Sequence, residues 1–182
     1  MAQKIGPTGD NSLNEGVKVV NSYDELFDAP VDGEAVKPSN EQTKISLHDA
    51  MLLGEFAKQK ALEMNLPVVF CLMDASGNQR YFFSMENALL VSSSVAVKKA
   101  WTAVALKMTT QQLAQEIQPG KSLYTLQNDP SLCCFGGGIP LWKGNVLLGA
   151  LGVSGGSVEQ DMTVAHYAVT QFSQRYYSLL PQ

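Results

Sequence analysis

The sequence predicts an α+β domain, a mostly antiparallel five-stranded sheet flanked by helices. Three observations predict it. Short apolar runs come in pairs around turn residues: 68–73 and 79–83 flank Asp74-Ala75-Ser76-Gly77-Asn78, and 139–142 and 146–153 flank Lys143-Gly144-Asn145. Segments with helical spacing separate these pairs. The resulting order is helix, two strands, helix or helices, three strands, helix, which is not the strict alternation of a doubly wound parallel sheet.

Each element has its own signal. Ser46 and Asp49 form a capping-box pattern, and Leu47, Ala50, Met51, Gly54, Ala57 and Ala61 follow at helical spacing. The small residues imply close approach to a sheet or another helix. Asn65 and Pro67 end this helix. Residues 68–73 (VVFCLM) read as a strand buried on both faces. Residues 88–108 read as a long helix that Thr109 and Thr110 interrupt, with a short helix over 111–118 and Pro119-Gly120 after it. Residues 132–135 supply the fifth strand. Ser157 and Gln160 fit a second capping box, opening a helix that runs to about Leu179.

The chain divides by texture into an acidic, mostly irregular N-terminal extension, 1–45, and a domain over 46–182. Residues 1–45 carry 4 lysines and 8 acids, whereas the rest carries 9 basic and 9 acidic residues, so the net charge of −4 lies wholly in the extension. A neutral body argues against nucleic-acid binding, which needs a basic face. Within the extension, 17–27 (VKVVNSYDELF) could form a short amphipathic turn or strand, and the extension reads as an arm that packs on the body or docks on a partner. No apolar run is long enough for a transmembrane helix, and the first residues lack a secretory h-region. Cys71, Cys133 and Cys134 are an odd set with no CxxC spacing, which fits a reducing cytoplasm and no structural zinc.

The candidate chemistry gathers in 135–161, FGGGIPLWKGNVLLGALGVSGGSVEQD. Gly155-Gly156 precede a helix N-terminus, where free N–H groups can hold an anion, but Glu159 and Asp161 in the first turn oppose one. The spacing matches no nucleotide loop. Gly136-Gly137-Gly138 read either as a bulge or as a floor for a flat ligand. Lys98 and Lys99 sit in an apolar helix: one can snorkel to solvent, and the other needs a carboxylate such as Asp161 or a ligand acid group. Cys133 and Cys134 are reactive thiols or, more simply, residues on alternate faces of a strand. His166 reads as an ordinary residue of the last helix. His48 is an exposed helix-start residue or an axial haem ligand, and Met51, one turn on, is a second soft ligand or a packing partner.

Four segments together carry a resemblance: PVVFCLMDASGN, ALLVSSSVAVKKAWTAVALKM, FGGGIPLW and GVSGGSVEQD. In this order they resemble the GlcG/HbpS-like family over roughly 46–175, most like the C-terminal domain of the PduO type. The resemblance implies a profilin/PAS-like sheet and homo-oligomers from dimer to octamer. It also implies haem as cofactor and a link to bacterial diol-utilisation microcompartments, with a metabolic enzyme as partner. It places the PduO-type haem histidine in the first helix, nearer Met51 than His48, and makes His48 the candidate iron ligand. The adenosyltransferase domain of PduO is not in this sequence, so that activity is not expected. The first functional reading is therefore a haem-binding accessory protein in the cytoplasm or a microcompartment. A second is an enzyme acting on a small metabolite in a glycine-lined pocket, with Lys99 or Asp161 as acid/base groups. A third is an assembly subunit that uses its arm.

Overall fold

A computed structural model describes residues 44–176. The arm over 1–43, with its 17–27 patch, and the expected helix end near Leu179 lie outside the described residues. The described elements are α1 (Leu47–Glu63), β1 (Val69–Asp74), β2 (Gln79–Ser84), α2 (Ser92–Leu106), α3 (Thr110–Glu116), a 3-10 turn (Tyr124–Asn128), β3 (Gly138–Lys143), β4 (Val146–Ser154) and α4 (Val158–Tyr176).

The sheet has four strands in the order β2-β1-β4-β3, and every neighbouring pair is antiparallel. This corrects the expectation of five. Residues 132–135 are an irregular connection: Cys133 N–H donates to the Thr102 side chain at 2.8 Å instead of joining a ladder. The α+β class and the antiparallel pairing stand.

β1 is central and covered on both faces, which is why its run is continuously apolar. Val68, Phe70 and Leu72 face one layer with Leu53, Ala57, Val164 and Phe172 of α1 and α4. Val69, Cys71 and Met73 face the other, with Ala96, Ala100 and Ala103 of α2. The alternation follows from the two-residue period of a strand. Pro140 is tolerated because β3 is an edge strand.

Small residues set the layer spacing. A side chain on Gly152 would overlap the backbone of Ala96 and Ala100, so α2 lies directly on β4. α1 closes on the Tyr81 ring at Gly54 in the same way. Burial in this interior pushes the Cys71 thiol up to about 12, so it stays protonated.

Both expected capping boxes are present, Ser46 with Asp49 and Ser157 with Gln160. α2 is shorter than the sequence pattern at both ends. It begins at Ser92 and stops when Lys107 turns left-handed at φ 55°. Thr109 does not merely interrupt a helix; it caps α3 in a box with Gln112.

The fit of α2 on β4 makes Gly152 intolerant of a side chain. Gly152→Ala should lower unfolding free energy by about 1–3 kcal/mol, because rigid backbone is overpacked. Urea denaturation should show this as a lower midpoint at unchanged slope.

Candidate functional site

The FGGG and GVSGG segments meet around one buried ion pair. Lys99, on the sheet-facing side of α2, is fully buried, and its Nζ lies 2.6 Å from Asp161 Oδ2. The same ammonium donates to the Val153 carbonyl at 2.8 Å, and the Phe135 ring covers it at 4.9 Å. Asp161, in the first turn of α4, uses its other oxygen to accept from Gly155 N–H at 2.9 Å and Gly156 N–H at 3.0 Å. Of the two adjacent lysines, Lys98 is the exposed one and Lys99 meets Asp161.

The arrangement determines what the glycines do. The Gly155 and Gly156 N–H groups that an external anion would use are held by the chain's own carboxylate. Gly137 has φ 118°, a left-handed conformation that favours glycine, and a side chain there would strike Lys99 Nζ and the Val153 carbonyl. Gly138 N–H donates to Thr110 Oγ1 at 2.9 Å. Gly136 sits against the Met162 and Gln111 side chains. The three-glycine run thus lies close over Lys99, beside strand β4.

His48 and Met51 lie elsewhere, on α1. His48 is exposed in the first helical turn and Met51 is half-buried one turn on. Farther along this helix, a shallow groove of about 190 Å³ is lined by Glu55, Lys58, Tyr81, Phe83 and Met85, among others. Lys58 and Glu55 pair across its rim at 3.7 Å. His166 is exposed on α4. The structure therefore brings Lys99, Asp161 and the five glycines together, and places His48 and Met51 on a separate surface.

Three contributors escaped the sequence pattern: Phe135 as cover for Lys99, and the Thr102 and Thr110 hydroxyls that hold the 133–138 connection. Adjacency of Thr110 to the helix break was the one available signal. The thiols of Cys133 and Cys134 are both pushed up by burial, so neither is an activated nucleophile. At the hairpin tip, burial pushes the Asp74 carboxyl up. Hydrogen bonds from Asn78 and Ser76 and the Arg80 cation outweigh this and hold it below the usual value.

A family model described as haem degrading protein HbpS-like matches residues 45–170. The chain belongs to the HbpS-like family. It is 45% identical over 135 residues to corrinoid adenosyltransferase PduO of Salmonella typhimurium (strain LT2), covering 72% of this chain and 40% of that protein. The chain thus spans well under half the length of PduO. It is 39% identical to an uncharacterized 15.0 kDa protein in the dhaT-dhaS intergenic region of Citrobacter freundii, covering 75% of this chain and 97% of the relative. Among solved structures it is similar to that of a PduOC:heme complex, at 45% identity and a TM-score of 0.68, covering 70% of this chain and 94% of that one. HbpS-like membership accounts for the four segments that carried the resemblance, all of which fall inside the matched span.

Removing one partner of the buried pair leaves an uncompensated charge. Asp161→Ala should cost about 3–5 kcal/mol of stability. A Lys99→Met, Asp161→Ala double-mutant cycle should show a coupling energy well above the scatter of independent sites, about 0.5 kcal/mol. The depressed Asp74 pKa contributes stability above the unfolded value of about 3.9, lost as pH falls through the folded value. Asp74→Asn should accordingly flatten the acid limb of the stability–pH curve below about pH 4 and leave its neutral shape unchanged.

Proposed function

We propose that this chain is a haem-binding, homo-oligomeric accessory protein of bacterial diol metabolism, acting in the cytoplasm or inside a microcompartment. The observation that carries this reading is the likeness, at 45% identity and over 94% of its chain, to the domain seen in a complex with heme. The PduO relative and the relative from the dhaT-dhaS region support the metabolic setting. The arm over 1–45 is assigned to docking on a partner, and 46–182 to the binding domain.

The residues on α1 fit the group. One neutral imidazole suffices as an axial ligand, and His48 presents its ring on an exposed helix face with Met51 one turn away. Beside the same helix, Tyr81 and Phe83 of β2 and Met85 line a groove of about 190 Å³ together with Glu55, Lys58 and Glu86, room for an edge of a flat macrocycle rather than the whole of it. When bound, haem would supply a redox-active iron; His48 would hold it, Met51 would pack beside or ligate it, and the glycine loops would hold the sheet and α4 in place.

Haem titration into the haem-free protein should produce a Soret band. His48→Ala should weaken binding by at least ~10-fold or shift the band, given that even outer-shell changes cost 10–100-fold at metal sites. Met51→Ala should shift it, and His166→Ala should leave it unchanged. Identical spectra and affinity for the wild type, His48→Ala and Met51→Ala would remove α1 as the ligand-bearing helix.

A further inference from the structure

The groove beside α1 has room for one edge of a macrocycle, and the two ends of this helix face differ in charge. His48, Met51, Glu55 and Lys58 recur at spacings of three, four and three along α1, so they share one face. From His48 to Lys58 this face runs about 15 Å, at 1.5 Å per residue. Lys44 lies just ahead of the helix, at the His48 end. The groove of about 190 Å³, with Glu86 on its wall, lies at the other end.

At the His48 end the uncompensated charge is positive. Lys44 is exposed and has no ion-pair partner among the described residues. The nearby carboxylate of Asp49 is buried and turned to Ser46, whose hydroxyl donates to it at 2.7 Å. Ser46 Oγ in turn accepts from the Asp49 N–H at 3.0 Å, so the cation here is the lysine and not the helix end. At the groove end the balance is reversed. Lys58 is offset by Glu55 at 3.7 Å, which leaves the exposed Glu86 carboxylate uncompensated among the described residues.

We propose that α1 selects its ligand by edge: Lys44 holds the acid groups, and Glu86 keeps them out of the groove lined by Tyr81, Phe83 and Met85. The ligand class this fits is an iron porphyrin whose propionates all lie on one edge. Haem has that form, with vinyl and methyl groups on the opposite edge. Coprohaem carries propionates on both edges and so sets one pair beside Glu86 whichever way it lies.

Charge and apolar burial act in the same direction. Two carboxylates brought within about 4 Å of each other at a protein surface weaken binding by about 10-fold. A vinyl edge meets no such repulsion and removes apolar atoms from water against the two rings and Met85. Lys44 then pairs with propionates that stay near solvent, which makes its contribution the modest one of an exposed ion pair.

This assignment rests on the haem reading and adds to it an orientation and a selectivity. Soret titrations of the full chain with haem, haem dimethyl ester and coprohaem separate the two. The wild type should bind haem about 10-fold more tightly than coprohaem. Glu86→Lys should remove most of that preference by strengthening coprohaem binding. Lys44→Glu should weaken haem about 5-fold, the scale of reversing one exposed ion pair, and leave the dimethyl ester within about twofold of the wild type. Lys121→Glu, the same change in net charge at an exposed loop lysine, should alter neither. Both tested residues are exposed, so circular dichroism of the variants should match the wild type. A Soret band that never appears removes the haem reading and this one with it. Haem binding in which Glu86→Lys leaves the coprohaem ratio unchanged, or in which Lys44→Glu affects haem and its ester alike, overturns the edge selection alone.

Discussion

The geometry of the domain depends on the buried pair between Lys99 and Asp161. An ion pair removed from water is costly unless nearly all of its hydrogen-bonding capacity is used. Here the ammonium has a carboxylate, a strand carbonyl and an aromatic face, and the carboxylate has two backbone N–H groups besides. The pair therefore ties α2, the end of β4, the Gly155-Gly156 turn and the first turn of α4 to one point. Gly137 follows from it, since backbone can come this close to the lysine ammonium only where no side chain intervenes.

With that point secured, the two faces of the sheet have different duties. α1 and α4 together cover one face, and α1 turns its remaining surface, with His48 and Met51, outward. α2 covers the other face, with alanines against the strands, and leaves Trp101 partly exposed to solvent. Both helices pack on the same central strand.

Much of this was legible in residue patterns. The capping boxes at Ser46 and Ser157 and the doubly buried β1 could be read directly, because caps and strand periodicity are local. The pairing of Lys99 with a carboxylate was legible as a need, since a lysine in an apolar stretch must find a partner. The fifth strand was misread for an equally local reason. Residues 132–135 are apolar and short, but the Cys133 N–H is taken by Thr102 from α2, a partner 31 positions away. Periodicity carries no information about such a donor–acceptor match. The C-terminal end of α2 was overestimated because a left-handed residue at Lys107 has no glycine to announce it.

What the sequence determined by itself was the set of elements, their order and the family signature, since each arises from spacing over a few residues. Only the tertiary structure decided what the glycine clusters are for. Whether Gly155-Gly156 hold a foreign anion depends on whether another group reaches their N–H groups first. Asp161 does so through a fold that also brings Lys99 to it across 62 residues of chain. The sequence offered the same glycines to a ligand and to the protein itself, and in the fold the Gly155 and Gly156 N–H groups donate to Asp161 Oδ1 at 2.9 and 3.0 Å, because a backbone donor drawn from water needs an acceptor.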